Sequence, residues 1–536
     1  MTDTQDRPVA AGQHPERHLP VDWTVFGVAA ALALAVVAAG AVWPEDFAAK
    51  STSALNWVTG HFGWLFVLTS AGFVVFSAYL ALTRYGNIKL GPDDSEPEFS
   101  TFSWVSMMFA TGMGIGLMFW GVAEPLTHFN TPPLGEGEGG TPEAAESAMQ
   151  YAFFHWGFHP WAMYAVIGLA IGYFAYRRGT GNLISATFRP LLGDRHGPAK
   201  AIDVIAIFAT LFGSATSLGL GALQITGGID DVFDRGGGSK TLAVAVIAVL
   251  TACFVLSAVS GVDRGIKFLS NANAVAAALL VFFLFVVGPT VFIMGTFTTT
   301  VGDYLTHLPA MSFNTGVYDS EASSWLGSWT IFYWAWWISW TPFVGMFIAR
   351  ISKGRTIRQF VVYVIVVPSL VSFVWFAILG GSAIDLQLNQ GWDPPTTSSG
   401  GIALESSFFD LLREFPWGGL TVALAVFLVA IFFVTGADAA SIVMGQLSQN
   451  GTEEPHRWLI VFWGVATGAV AAVLLWAGGL AALQTLVILV AAPFMLVLIG
   501  MCVSLLKALR EETFESTLPS RVRRAVEHAQ RYPDGP

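Results

Sequence analysis

Long apolar runs recur along this chain, and each is longer than the buried core of a soluble domain requires. The first, Trp23 to Trp43, contains no charged residue. Eleven more follow at 62–83, 102–123, 151–176, 202–227, 241–260, 272–295, 326–349, 359–380, 417–446, 458–476 and 485–506. A bilayer core of ~30 Å takes ~20 residues of helix to cross. In hydrocarbon, a crossing backbone must satisfy its own polar groups, which leaves helices or closed barrels. Runs of this length select helices. Only 12% of the residues are charged, about half the ~25% that a water-facing surface needs. The expected fold is an all-α polytopic membrane protein with twelve transmembrane helices; disorder and an ordinary cytosolic enzyme are excluded. Whether 477–484 is a loop or a bend within one helix stays open.

The basic residues orient this array. With the N-terminus inside, 22 of the 26 Lys and Arg residues fall on the cytoplasmic side and four outside, as the positive-inside rule requires. Both termini are therefore expected in the cytoplasm, with the chain in the cell's inner (plasma) membrane. The run from Trp23 is too long for a signal-peptide core and reads as a retained helix. A net charge of −11 argues against a nucleic-acid partner, and Cys253 and Cys502 lie in apolar runs. The expected domains are a tail at 1–22, two helices in 23–101, a first bundle at 102–297, an amphipathic surface linker at 298–325, a second bundle at 326–506 and a tail at 507–536. Residues 124–150 read as an external loop, and Leu404 to Phe415 as a short surface helix. The last tail mixes Arg with Glu, which suits a solvated helix or a membrane-surface sensor.

Enzyme signatures such as GxSxG, HExxH and GxxxxGK[ST] are absent, so neither an enzyme nor an organic cofactor is expected. Glycine and tryptophan stand out instead. Gly112, Gly114 and Gly116 alternate through a helical run, and each weakens a helix by ~1 kcal/mol relative to alanine. The stretch is either a close packing face or a break whose free backbone groups bind a ligand. Six of the 20 tryptophans fall between Trp325 and Trp340. Trp325 and Trp329 read as interface anchors. On a helix, Trp336, Trp340, Phe343 and Phe347 share a face with Trp337 beside it, and Trp156, Trp161 and Tyr164 share another. Those rings are packing or a ligand box. Ring faces attract a quaternary ammonium, which has no N–H to donate, by ~0.5 to ~2 kcal/mol each.

The run Ser328-Trp329-Thr330-Ile331-Phe332-Tyr333-Trp334-Ala335-Trp336-Trp337, with Trp340-Thr341-Pro342-Phe343 and Arg350-Ile351-Ser352-Lys353-Gly354-Arg355 after it, resembles the betaine/carnitine/choline transporter family. Gly112 to Gly116 with Trp120-Gly121-Val122-Ala123-Glu124-Pro125, and Gly261 to Lys267, are similar to that family too. The resemblance implies two inverted five-helix repeats after two peripheral helices, and a homotrimer in the lipid bilayer. It implies a central aromatic box of Trp156, Trp161, Tyr164 and Trp337, with Trp336 and Trp340 near it. Gly112, Met113, Gly114 and Gly116 would meet the substrate through their backbone.

Family members that carry choline typically have Asp where this chain has Gly116, so the resemblance implies a zwitterion that brings its own carboxylate, glycine betaine first. It also implies sodium as coupling ion, held near Ala110, Met113, Phe343, Phe432, Thr435 and Gly436. The family commonly has Ser at the position of Gly436, so one hydroxyl ligand is missing. Sodium-independent exchangers place a basic residue in the fifth run; Ile202 to Thr226 has none. The expectation is a sodium-coupled betaine importer serving osmoprotection. The alternatives are a sodium-independent betaine or carnitine exchanger and, from another class, a non-transporting sensor or lipid-acting enzyme. Asp438 reads as a hydrated end or a functional charge, and His155 as a residue near the outer surface.

Overall fold

A computed structural model describes residues 19–112, 114–233, 239–260, 263–513, 515–518 and 522. Much of both expected tails, Gly261 and Val262 of the resembling loop, and Met113 lie outside these residues. The principal helices are α1 (Trp23–Val42), α2 (Pro44–Leu82), α3 (Thr101–Gly112), α4 (Ile115–Asn130), α5 (Pro142–Trp156), α6 (Phe158–Gly172), α7 (His196–Val232) and α8 (Lys240–Ser260). They continue as α9 (Asp263–Val287), α10 (Thr290–Ser312), α11 (Ser320–Ser328), α12 (Thr330–Ile351), α13 (Ile357–Gln390), α14 (Ser407–Arg413), α15 (Gly418–Ser448) and α16 (Arg457–Arg510). Among the described residues the only β pairing is two isolated bridges.

Local chemistry sets the helix ends. Asp22 caps α1 by accepting from the Thr24 and Val25 N–H groups, and it pairs with Lys200 of α7 at 2.9 Å. Pro44 opens α2, with Glu45 and Asp46 in its first turn, where acidic groups meet the positive end of the helix dipole. Thr356 and Gln359 form a capping box at the start of α13, and Gly391, at φ 73°, closes it.

Among the described residues, eight helices are long and apolar enough to cross a membrane, or nine if the bent pair α9 and α10 counts as one span. The chain is thus a multi-pass membrane protein, but its twelve apolar runs do not become twelve plain helices. Run 102–123 splits into α3 and α4 around Gly114, whose backbone is extended (φ −166°, ψ −159°). The glycine stretch is therefore a break. Run 151–176 splits at Gly157 (φ −93°, ψ −130°). The last two runs join in the 54 residues of α16, interrupted at Gly479 (φ 64°, ψ −146°). An unbroken helix of that length would extend about 80 Å, far beyond a bilayer core.

Other boundaries also differ from the reading of the sequence. Run 272–295 stops at Val287; Gly288-Pro289 turns the chain by 108° into α10. Residues 124–130 are helix rather than loop, and Glu124 and His128 are wholly buried there. His155 is wholly buried as well. In α14, Phe408, Phe409, Leu411 and Leu412 point inward, so it is not a surface helix.

Burial sorts the helices. Every residue of α6 after Phe158 is buried, as is nearly all of α12, and a helix apolar on all sides belongs at the centre of a bundle. By contrast, α1 exposes Val28, Leu32 and Leu34, and α8 exposes Val249, Leu256 and Val259. Both helices thus turn apolar side chains outward from the bundle.

Candidate substrate site

The central rings come from the ends of broken helices. Trp156 is the last residue of α5, and Trp161 and Tyr164 lie in the first two turns of α6. The break at Gly157 separates them, so the single helical face expected for 156–164 does not exist. Close approach requires glycine here: a Cβ would stand 2.6 Å from the Phe153 carbonyl oxygen and 2.8 Å from the Tyr304 hydroxyl. That hydroxyl, from α10, accepts from the Phe158 N–H at 3.1 Å and satisfies one of the donors the break frees.

Four rings meet in a series of near-right-angled corners. Trp156 and Trp337 have centroids 4.8 Å apart at 80°. Trp337 and Tyr164 are 6.2 Å apart at 83°, and Tyr164 and Trp161 are 5.5 Å apart at 77°. Trp336 stacks on Trp337 at 5.0 Å and 17° and meets Trp156 edge-on at 6.1 Å. None of these five side chains is more than 8% exposed. Edge-to-face contacts suit the ring quadrupoles.

Hydrogen bonds hold the rings in place. The Trp337 Nε1–H donates to the His155 carbonyl at 3.0 Å, and the Trp336 Nε1–H to Ser217 Oγ of α7 at 3.2 Å. The Trp156 Nε1–H donates to Glu124 Oε2 at 2.8 Å. Gly116, in the first turn of α4, closes one side: a Cβ there would lie 2.7 Å from Trp336 Cη2 and 3.1 Å from Trp156 Cη2.

The remaining candidates distribute unevenly. Gly114 and Phe432 line one apolar cavity of about 390 Å³ between α4, α9, α10, α13 and α15. Thr435, one turn beyond Phe432, donates its hydroxyl proton to the Ile431 carbonyl at 2.9 Å, which leaves oxygen lone pairs for a cation. Gly436 has open space where a side chain would begin. Phe343 does not join this group. It faces a separate cavity of about 290 Å³ with Arg350, Asp438 and Glu453, and Trp340 packs against it at 5.5 Å. Phe343 and Phe432 thus line different cavities, because α12 presents Phe343 toward α6 and the far half of α15. Gly112 ends α3, Ala110 lies within it, and Met113 is outside the described residues.

Several participants were not evident from the sequence. Trp325 and Trp329, half-buried, pack inward on other rings: Trp329 lies 4.4 Å from the His128 ring and 5.5 Å from Trp120, and Trp325 lies 4.8 Å from Tyr151. They roof the ring cluster. Tyr333 stacks on Trp337 at 6.2 Å, and Phe376 of α13 touches Trp156 at 5.2 Å. Glu124 had a signal in its spacing, since Gly116, Trp120, Glu124 and His128 recur every four residues along one helical stripe.

Comparison with known proteins bears on this geometry. The pattern described as "BCCT, betaine/carnitine/choline family transporter" matches residues 24–514. The chain is 46% identical over 495 residues to the glycine betaine transporter OpuD of Bacillus subtilis, covering 92% of this chain and 95% of that protein. It is 42% identical over 510 residues to the betaine/ectoine transporter LcoP of Corynebacterium glutamicum, covering 94% and 79%. With the ectoine/hydroxyectoine transporter of Virgibacillus pantothenticus it shares 40% identity over 485 residues, covering 90% and 96%. All three relatives are transporters, not enzymes. A match over nearly the whole length places this chain in the betaine/carnitine/choline transporter family.

Proposed function

We propose that this chain imports glycine betaine with sodium, by alternating access around the rings of Trp156, Trp337, Tyr164 and Trp161. The observation that carries this is the run of perpendicular ring faces beside Gly116, where no acidic side chain fits without displacing Trp336. Such faces hold a quaternary ammonium by cation–π attraction. With no carboxylate at position 116, an occupant that is neutral overall suits the site better than a bare cation. Relatives named for glycine betaine, ectoine and hydroxyectoine support this class.

Sodium coupling rests on Thr435 and the Phe432 backbone beside the α3–α4 break, and on the lack of Lys or Arg between Ile202 and Thr226. Two sodium ions entering with a neutral betaine carry two charges, worth ~4.6 kcal/mol per 100 mV. At ~1.4 kcal/mol per tenfold this sustains about thousandfold accumulation, the scale an osmoprotectant importer needs. In this reading the chain crosses the inner membrane twelve times with both termini inside. The pairs α3–α4 and α5–α6 are interrupted crossings, α16 is two crossings, and 102–297 and 326–506 form inverted repeats of a homotrimer's subunit.

A sodium-independent exchanger is the second reading, favoured by the hydroxyl missing at Gly436. One experiment separates the two: uptake of labelled glycine betaine into proteoliposomes preloaded with unlabelled betaine, at a clamped negative potential, with an inward gradient of sodium or of potassium. Uptake only with sodium supports symport. Equal uptake in both removes sodium coupling, and no uptake in either refutes the betaine assignment.

A further inference from the structure

Glu124 is a buried acid that, among the described residues, has no Lys or Arg beside it. Its Oε2 accepts the Trp156 Nε1–H at 2.8 Å and the Tyr333 hydroxyl; its Oε1 accepts from His155 Nδ1 at 2.6 Å. His155 Nε2 lies 2.9 Å from Thr330 Oγ1, so the ring donates on one side and can accept on the other. An indole N–H can only donate, and three donors converging on one group suit a carboxylate, which accepts at both oxygens. The side chain is wholly buried, where charge interactions are little screened.

Glu124 is not at the walls of the box. It meets Trp156 at the N–H edge of the ring, while the occupant lies against the ring faces. An acceptor anion on the N–H pushes electron density into the indole and makes both faces more negative. Tyr333, bonded to the same carboxylate, stacks on Trp337 at 6.2 Å and 21°, so a second wall is coupled to it. Hydrogen bonds in a low-dielectric interior polarise one another in this way. Resting on the betaine reading above, we infer that Glu124 is the counter-charge for the substrate's ammonium, acting through the Trp156 ring as a positioning and polarising residue rather than by contact. Gly116 and Glu124 are then complementary. The first keeps a carboxylate away from the ring faces, and the second supplies negative charge behind them.

A metal ion would be another use for these groups, since Glu124, His128 and His155 bring ligand atoms within 4.8 Å of one another. Binding one would displace donors already seated on both oxygens of Glu124. His128 Nε2 also lies 3.4 Å from Glu124 Oε1, while its ring packs against Trp329 and Trp325.

The test compares glycine betaine with 3,3-dimethylbutanoate, which has a tert-butyl group in place of trimethylammonium and keeps the carboxylate. Binding of both to the purified full chain in lipid nanodiscs is measured for wild type and Glu124→Gln. The expected result is a betaine Kd raised about tenfold in Glu124→Gln, as loss of a desolvated cation–π share implies, with the dimethylbutanoate Kd nearly unchanged. Equal weakening of both ligands would reduce Glu124 to a scaffold residue and overturn the inference, as would no change in either. Failure of the wild type to bind betaine would overturn the transport reading itself. Should Glu124→Gln not fold, benzothienylalanine at position 156 replaces the N–H with sulfur and keeps the ring. The same selective loss is expected, and its absence overturns the inference.

Discussion

The indole N–H of Trp337 donates to the backbone carbonyl of His155, 3.0 Å away, across the junction of α12 with the end of α5. One wall of the ring cluster is therefore tied to the residue that precedes another wall, Trp156. Trp337→Leu removes both the ring and the tie and is expected to abolish betaine uptake. Trp337→Phe keeps a ring but leaves a buried carbonyl without its donor, at a cost of about 1–3 kcal/mol. Its betaine affinity should fall about tenfold, measured by equilibrium binding.

At Gly116 the prediction is steric. A methyl group must push Trp336 away from 2.7 Å, and overpacking of this kind costs about 1–3 kcal/mol. Gly116→Ala should raise the KM for betaine about tenfold or more, while Gly114→Ala, where a Cβ meets open space, shows no such packing penalty. Uptake kinetics of the two variants side by side check this.

Position 436 is open where a side chain would start. Gly436→Ser should fold normally and, if sodium binds near Thr435, lower the sodium concentration for half-maximal uptake severalfold, as one added ligand worth about 1 kcal/mol implies. Sodium titration of uptake is the measurement.

Tyr304 lies on α10 but serves the break at Gly157. Tyr304→Phe strips the acceptor from the Phe158 N–H and should destabilise the protein by about 1–2 kcal/mol. Slower betaine uptake is expected with it, because the residues on either side of this break are walls of the site. Thermal unfolding and uptake assays report the two effects separately.

Glu512 anchors the end of α16. Burial alone would raise its carboxyl pKa, but hydrogen bonds from Arg177 and Tyr173 prevail and hold it below its ordinary value. A depressed carboxyl contributes stability that is complete above the ordinary pKa of ~4.3 and is lost as pH falls through the folded value. Wild type should thus lose thermal stability progressively below about pH 4. Glu512→Gln should start from lower stability at neutral pH and show a flatter acid limb.

Hydropathy made the membrane class legible, and the run lengths placed nearly every long helix, because apolar length is what a bilayer measures. Gly112 to Gly116 allowed either a packing face or a break, and only the extended backbone of Gly114 decides for the break. The break at Gly157 was hidden: its neighbours are as apolar as a continuous helix, and the donor it frees is satisfied by Tyr304, almost 150 residues away in sequence. Glu124 was read as the start of a loop since a charge usually ends an apolar run. Its three donors come from α5 and α12, which no local window contains. Trp325 and Trp329 resemble interface residues in spacing, yet they pack on His128. The turn at Gly288-Pro289 did carry a local signal, outweighed by the apolar residues that continue into α10.

The right-angled rings have a mechanical consequence. Each wall leans on the next, and each indole of Trp156, Trp336 and Trp337 is pinned by a separate acceptor on α4, α7 or α5. For the proposed betaine site this means a seat built before the substrate arrives, with little rotamer freedom left to freeze on binding. It also cannot let go by relaxing one ring. In the proposed transport cycle, entry and exit then come from uncovering the rings above or below, by movement of helices that bring no wall to them.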